Sequence, residues 1–237
     1  MTSLLQPVLD RIDAAARAAG RPGEVRLLAV SKTQPAAAIR ALHELGQRAF
    51  GENYVQEALA KQRELAALGV AADAIEWHLI GPLQSNKARE AAQHFHWVQS
   101  LDRDKLVDAL SRHRAAAAMP LNVLIQVNVD GEASKSGCAP DAVDALARRV
   151  AAAPGLRLRG LMAIPEPSPD PAHRRAAFDR MRALFDALRT EHEGVDTLSM
   201  GMSDDFEPAI AHGATMVRIG TALFGARRVS AGTGGPG

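Results

Sequence analysis

The sequence of 237 residues is poor in several residue types whose abundance would mark a class of protein. Its single cysteine, Cys138, excludes a framework of intramolecular disulfides. The net charge is +1 and no run of lysine or arginine exceeds two residues, so we expect neither nucleic acid nor a membrane surface as a partner. No apolar run approaches the length that spans a bilayer.

The first twenty residues also lack the pattern of a secretory signal. This segment places Asp10 and Asp13 among its apolar positions, where a signal peptide has an uninterrupted apolar run. Together with the single cysteine, this pattern predicts a cytoplasmic protein.

Short apolar runs alternate with amphipathic helical patterns along the whole chain. This alternation is typical of βα units around a parallel sheet. Helical periodicity predicts helices over residues 4–19, 35–45, 54–68, 102–117, 140–152 and 171–192. The predicted strands are residues 27–31, 48–50, 77–80, 97–99, 122–129, 157–163, 197–200 and 216–219.

Eight successive βα units predict a single (β/α)8 TIM barrel of the α/β class with an extra N-terminal helix. Such barrels take about 250 residues, which leaves no room for a second domain. We assign residues 1–228 to the barrel and expect the Gly-rich residues 229–237 to be a disordered tail. The alternative is an open doubly wound sheet, which is disfavoured because no Gly-x-Gly-x-x-Gly follows the first strand.

Lys32 directly follows the first apolar strand. Ligands of parallel α/β folds bind at the carboxyl ends of the strands. Apolar surroundings favour the neutral amine, which is the form that attacks carbonyl groups. The alternative is a lysine whose stem leaves the sheet and whose ammonium reaches water, and this segment alone leaves both interpretations open.

The loops after the seventh and eighth strands have the composition of a phosphate site. Barrels often hold a phosphate between these two loops, at the N-terminus of a short helix. Here the loops contain Ser203 and the pair Gly220 and Thr221. Ser203 has the alternative role of a helix N-cap, and the acidic Asp204 and Asp205 are expected to point away from a phosphate.

Arg218 lies inside the otherwise apolar eighth strand, where its guanidinium needs an acceptor. That acceptor is either a carboxylate of the barrel or a ring nitrogen of a bound ligand. A lysine amine, a phosphate seat and an arginine for a heterocycle together fit pyridoxal 5′-phosphate held as a Schiff base.

Seven motifs resemble the pyridoxal phosphate homeostasis protein family, which is similar to the N-terminal barrel of alanine racemase. They occur in the expected order and span nearly the whole chain: AVSKT (29–33), FGENYVQE (50–57), HLIGPLQSNK (78–87), SKSG (134–137), GLMAI (160–164), LSMGMSDD (198–205) and VRIGTALFGAR (217–227). The resemblance implies a fold type III barrel without the C-terminal β domain of the racemases.

The resemblance also implies roles for individual residues. It implies the cofactor aldimine on Lys32, Arg218 at the pyridine nitrogen, and Asn53 in the pocket wall. Near the phosphate it implies Ser199, Gly220 and Thr221. The strand-end positions Met162 and Ser203 complete the predicted cofactor-binding set.

The implied function is storage, buffering or delivery of pyridoxal phosphate without turnover, by a monomer that serves pyridoxal phosphate-dependent apo-enzymes. The alternatives are an amino-acid racemase-like enzyme and a lysine aldolase. Racemisation needs acid–base groups on both faces of the substrate, and the sole tyrosine, Tyr54, is expected to pack in or near the pocket. His78 is a further candidate for the barrel mouth.

Two other features are assigned no role in binding. The pair His94 and His96 has no third ligand nearby in the sequence, so we assign no metal site. Lys135 is interpreted as a solvated loop lysine rather than a second aldehyde-reactive site.

Overall fold

The computed structural model describes residues 4–114, 116–117, 119–132, 136–166, 168 and 170–225. The predicted disordered tail and Lys135 both lie outside these residues. No helix in this part of the chain is long and apolar enough to cross a membrane.

Eight parallel strands form a closed barrel in the order of the sequence. The barrel closes where β1 pairs with β8, with Leu28 opposite Arg218. This architecture confirms the predicted (β/α)8 barrel. The strands are β1 (Arg26–Val30), β2 (Ala49–Glu52), β3 (Glu76–Leu79), β4 (Trp97–Leu101), β5 (Leu121–Gln126), β6 (Leu156–Met162), β7 (Thr197–Ser199) and β8 (Met216–Ile219).

Helices cover the outside of the barrel, and α1 precedes the first strand as predicted. The helices are α1 (Leu5–Ala18), α2 (Ala36–Glu44), α3 (Val55–Ala67), α4 (Ala88–His94), α5 (Asp104–Arg114), α6 (Val143–Ala151), α7 (Pro171–Glu191), α8 (Phe206–Ala211) and α9 (Thr221–Phe224). Helices α4, α8 and α9 were not predicted, because segments of four to seven residues are too short to show a helical period.

The predicted boundaries differ from the structure by a few residues. The largest difference in a strand is at β5, which ends at Gln126 rather than at residue 129. Val127 instead forms an isolated bridge to Cys138, because the chain turns there into the loop after β5. Helix α5 ends at Arg114, three residues before the predicted end.

Apolar side chains occupy both sides of the sheet. The main core lies between the strands and the helices. Inside the barrel there are two smaller apolar clusters, which leave the remaining lumen to polar side chains. The first cluster contains Leu28, Ala49, Ile80 and Met216, and the second contains Trp97, Leu124 and Met162.

Gly160 is required where β6 passes β7. Its φ is +142°, and a Cβ at this position would lie 2.0 Å from the carbonyl oxygen of Thr197. Since backbone cannot retreat without breaking the β6–β7 pairing, only glycine fits here. Gly69 has a similarly positive φ of +84°, but a Cβ there would meet no atom within 4 Å.

We predict that Gly160→Ala lowers the free energy of unfolding by about 3 kcal/mol or more, because it combines backbone strain with a steric clash. Gly69→Ala is the matched control and is expected to cost about 1 kcal/mol, from the positive φ alone. Urea denaturation of both variants measures the difference. Equal losses would show that the contact with Thr197 relaxes at no cost.

Candidate functional site

A cavity of about 280 Å³ opens at the carboxyl ends of the strands. Six of the eight predicted cofactor-binding residues line it, from four separate strand ends. They are Lys32, Asn53, Ser203, Arg218, Gly220 and Thr221. The remaining wall is formed by Val30, Ile80, Ile164, Met202 and Asp204.

Lys32 is the amine of this cavity. It is half-buried beside the apolar side chains of Val30 and Ile80. Its ammonium forms no ion pair with any carboxylate in the described part of the chain. The amine is therefore available to a ligand instead of being neutralised by the protein.

Asn53 reaches the cavity because the loop after β3 has a glycine, Gly81, where it contacts the backbone of Asn53. A Cβ on Gly81 would lie 2.2 Å from the carbonyl oxygen of Asn53, so the close approach of the two loops requires glycine. The side-chain amide of Asn53 has no hydrogen-bond partner among residues 4–114 or the other described segments.

The hydroxyl groups of Ser203 and Thr221 lie on the loops after β7 and β8. Neither hydroxyl, and neither backbone amide, donates to a protein acceptor within the described segments. Ser203 is not a helix N-cap, since α8 begins three residues later and Asp205 precedes it. Thr221 is the first residue of the short helix α9, as a phosphate seat after the eighth strand requires.

The two acidic residues of the β7–α8 loop differ in their contacts. Asp205 accepts a hydrogen bond from the amide of Met202 at 2.6 Å, which holds its carboxylate on its own loop. Asp204 is exposed and belongs to the cavity wall, and the expectation that its carboxylate points away from a phosphate remains a prediction.

Arg218 is buried in the floor of the cavity. Its partners in the described part of the protein are not the carboxylate that was one of the two expected acceptors. Its Nη1 donates to the carbonyl oxygen and to Oγ of Ser199, both at 2.8 Å, and its Nη2 donates to the carbonyl of Ala163 at 2.8 Å. No carboxylate within the described residues pairs with it. A guanidinium has five N–H groups, so Nε–H and one Nη2–H are left for a ligand acceptor.

Burial lowers the pKa of Arg218 to about 10, and the nearby charge of Asp205 opposes this shift. The guanidinium therefore stays protonated at neutral pH. It is a hydrogen-bond donor that cannot act as an acceptor.

Ser199 and Met162, the other two predicted residues, lie beneath the cavity rather than in its wall. Both side chains are completely buried. Met162 packs against Trp97 and Leu124 inside the barrel. The hydroxyl of Ser199 donates to Oε1 of Gln99 at 2.7 Å while its oxygen accepts from Arg218. Their predicted contacts with the cofactor remain a prediction.

A chain of hydrogen bonds continues from Ser199 through the lumen of the barrel. Nε2 of Gln99 donates to Nδ1 of His78 at 2.9 Å, and Nε2 of His78 lies 2.7 Å from Oε1 of Glu76. Glu76 also accepts from Arg26 at 2.7 Å, at the amino end of the barrel. Because an amide nitrogen only donates, Nδ1 of His78 accepts and its proton is on Nε2. Every bond between Arg218 and Glu76 therefore donates in the same direction, away from the cavity floor.

His78 is fully buried and does not face the barrel mouth, where it was a candidate. Burial lowers its pKa to about 4, even though the hydrogen bond to Glu76 raises it. Its ring stacks on Trp97 with centroids 5.1 Å apart. At neutral pH His78 is thus a neutral ring with both nitrogens engaged.

Tyr54 was expected to pack in or near the cavity, and this expectation is wrong. Its side chain is 66% exposed, and it does not belong to the cavity wall. Tyr54 is an extended residue that immediately precedes α3, whereas the neighbouring Asn53 belongs to the cavity wall.

Sequence reasoning missed the residues that support the site from below. Gln99 has no motif of its own, and only its position two residues into a strand of a closed barrel indicates that it faces the lumen. Lys61 lies in the amphipathic pattern of α3 but is buried, and it bonds to Glu52 and Glu57. A lysine at an otherwise apolar position of a helix was the available signal.

A second cavity, of about 260 Å³, lies between α3 and α4 near the amino ends of β3 and β4. Its cation, Arg114, already donates to the carbonyls of Met119, Ala92 and Phe95. His96 in its wall accepts the amide of Trp77. Arg114 and Nδ1 of His96 in this cavity are thus engaged by the protein itself, in contrast to Lys32.

Comparisons with known proteins agree with this geometry. The family model described as alanine racemase, N-terminal domain, matches residues 5–228. A protein of Pseudomonas aeruginosa named pyridoxal phosphate homeostasis protein is 61% identical over 221 residues, which are 93% of each chain. The protein of the same name from Escherichia coli K12 is 53% identical over 227 residues, covering 95% of this chain and 96% of that one.

Solved structures show the same barrel. PipY of Synechococcus elongatus PCC7942, with PLP bound, is 39% identical with a TM-score of 0.77, and the match covers 91% of this chain and 99% of PipY. Alanine racemase of Clostridium difficile has a TM-score of 0.69 at 13% identity over 95% of this chain and 57% of the racemase, a likeness of fold alone.

We predict that His78 makes the fold less stable in mild acid. The unfolded chain titrates His78 near its usual pKa of about 6.5, whereas the folded chain does so at about 4. The unfolded state therefore binds more protons between these values, and stability falls as the pH falls. The contribution between pH 7 and pH 5 is about 2 kcal/mol.

Urea denaturation at pH 7 and pH 5 tests this prediction with the variant His78→Asn. The variant is less stable at both pH values, because it breaks the hydrogen-bond chain. Its loss between the two pH values is expected to be smaller than that of the wild type. A loss as large as in the wild type would assign the acid sensitivity to other groups, such as His96, whose pKa burial also lowers.

Proposed function

Since the chain belongs to the pyridoxal phosphate homeostasis protein family, we propose that it binds pyridoxal 5′-phosphate in the cavity around Lys32 and acts as a carrier of that cofactor. The observation that carries the proposal is a free lysine amine and a free pair of hydroxyls in one cavity whose floor is a buried arginine. Storage, buffering and delivery are all functions of such a carrier.

The donor set fits this ligand. Ser203 and Thr221 offer hydroxyls and unpaired amides to a phosphate, at the start of a short helix. Arg218 offers Nε–H and an Nη2–H to an uncharged ring nitrogen. Lys32 offers its amine on the β1 side of the cavity. These roles, and that of Asn53 in the wall, are proposals for this chain.

Pyridoxal phosphate supplies an aldehyde that condenses reversibly with an amine and a ring that withdraws electrons when its nitrogen is protonated. In this chain the group facing that nitrogen would be Arg218, which keeps its own proton because its pKa is about 10. Arg218 therefore binds and orients the ring without protonating it. Lys32 is the proposed point of covalent attachment, at Nζ.

The main alternative is a racemase-like enzyme, which needs a second acid–base group opposite Lys32. Tyr54 is exposed outside the cavity, and both nitrogens of His78 are engaged in the lumen. Asp204 is in the wall but is exposed and makes no hydrogen bond within the described part of the chain. These observations favour a carrier over an enzyme. We propose pyridoxal phosphate-dependent apo-enzymes as the acceptors.

We predict that Lys32→Ala abolishes covalent binding of pyridoxal phosphate while the fold remains intact, because alanine replaces the stem but not the amine. Borohydride reduction of the wild-type complex, followed by peptide mass spectrometry, should place the label on Lys32. The variant should lose both the label and the visible absorption band of the bound ligand.

The control for this experiment is Lys105→Ala, which changes an exposed lysine of α5. It should bind and be labelled as the wild type is. An undiminished absorption band in Lys32→Ala would locate the reactive amine elsewhere, and Lys135 would be the first residue to test.

We predict no turnover of amino acids by the wild-type protein. Incubation of the loaded protein with L-alanine should give no D-alanine above the rate of free pyridoxal phosphate, since the one acid–base group besides Lys32 among the described lining residues, Asp204, has no contact that holds it in place. Chiral chromatography measures the product, and Lys32→Ala supplies the background. Sustained formation of D-alanine would favour the racemase-like alternative, and Asp204→Asn would then be the variant to examine.

A further inference from the structure

A second lysine, Lys61, lies directly behind the segment that holds Lys32. It is 6% exposed and belongs to α3. Its Nζ donates to the two carboxylate oxygens of Glu52 at 2.8 and 3.0 Å, to Oε1 of Glu57 at 2.6 Å, and to the carbonyl of Ser31 at 2.7 Å. All of its hydrogen-bonding capacity is used, in contrast to the free amine of Lys32.

This cluster is attached to the backbone on both sides of Lys32. On one side, Ser31 gives its carbonyl to Lys61 and donates its hydroxyl to Oε1 of Glu52 at 2.6 Å. On the other side, the amide of Thr33 donates to Oε1 of Glu57 at 2.6 Å. The two residues that flank Lys32 are therefore both bonded to one cluster of charges, in which Lys61 and Glu52 are buried and Glu57 is half-buried.

The backbone at Thr33 needs such support. Its φ is +64°, and within the described segments Thr33 is the one residue other than glycine with a positive φ. This conformation is unfavourable for a β-branched side chain and persists only where surrounding contacts impose it. The hydrogen bond from the amide of Thr33 to Glu57 is a contact of this kind. The conformation of Thr33 turns the chain sharply just after Lys32.

Stability alone is a poor explanation for the cluster. Buried ion pairs are often no more stabilising than apolar side chains of similar volume, because desolvation offsets their attraction. Glu52 is consistent with such a cost, since burial raises its pKa despite the hydrogen bonds from Lys61 and Ser31. An apolar replacement would lack the hydrogen bonds to the backbone groups of Ser31 and Thr33 on either side of Lys32.

We propose that Lys61, Glu52 and Glu57 are positioning residues that set the direction in which Lys32 leaves β1, and with it the capture of a carbonyl ligand. The proposal rests on the proposed function, because it assigns the amine of Lys32 to that ligand. Reactions between held groups are sensitive to displacements of about 1 Å, so loss of the contacts that hold Ser31 and Thr33 is expected to affect the reaction of Lys32.

The experiment compares two ligands in the variant Lys61→Met. Pyridoxal 5′-phosphate has an aldehyde, whereas pyridoxine 5′-phosphate has an alcohol and forms no bond with an amine. We expect the rate of covalent capture of the aldehyde to fall by roughly 10- to 100-fold, and the change in its absorption measures this rate. Affinity for the alcohol, measured by calorimetry, should change by less than about twofold, because the phosphate and ring contacts are intact.

A graded pair at Glu57 provides a second test at a half-buried position, where the fold is less sensitive to substitution. Glu57→Gln retains an oxygen that accepts from Thr33 and should capture the aldehyde nearly as the wild type does. Glu57→Ala removes that acceptor and should slow capture. Lys105→Met, at an exposed lysine, is the control for Lys61→Met and should leave both ligands unaffected.

The outcomes distinguish a failure of the positioning role from a failure of the proposed function. Equal losses for both ligands in Lys61→Met, or identical behaviour of the two Glu57 variants, would overturn the positioning role and leave the proposed function in place. A wild-type protein that binds the aldehyde no better than the alcohol, and is not labelled by borohydride, would instead overturn the proposed function and this inference with it.

Discussion

A charged guanidinium inside the barrel is the constraint on which the rest of the site depends. Arg218 is 4% exposed and keeps its charge, so its acceptors must come from within the lumen. Carbonyl groups of Ser199 and Ala163 supply two of them. The hydroxyl of Ser199 supplies a third only if its own proton has an acceptor, and Gln99 is that acceptor.

Each side chain that accepts a hydrogen bond in the lumen in turn needs an acceptor for its own proton. The series ends at a charge of opposite sign. Gln99 must donate to His78, and His78 must then donate to Glu76. Burial raises the pKa of Glu76, but the hydrogen bonds from His78 and Arg26 outweigh this and lower it to about 2, so the chain ends on an ionised carboxylate. The polar interior of the barrel is thus the consequence of one arginine at the cavity floor.

Sequence reasoning reached the fold and most of the cavity for a definite physical reason. Eight apolar runs predict where the strands lie. Because a parallel barrel brings the carboxyl ends of its strands together, Lys32 and Thr221 line the same cavity although they are far apart in the chain. Which strand residues face the lumen depends on register, and the irregularity between Val98 and Leu101 in β4 is invisible in the sequence. The resemblance implied a place for Ser199 near the phosphate, which remains a prediction, and nothing in the sequence indicated that its hydroxyl donates to Gln99.

The two lysines near β1 differ in the partners that the protein offers them. Lys61 has an acceptor for every proton, and through Ser31 its contacts fix the backbone beside Lys32, whose amine has no protein partner among the described residues. A reacting group is useful only when it is held within reach of its target. Lys32 meets that condition, whereas Asp204, exposed and without a buried contact, does not. Among the described residues that line the cavity, Lys32 is thus the proposed point of attachment beside a held backbone, and Asp204 is the one carboxylate, with no contact that holds it.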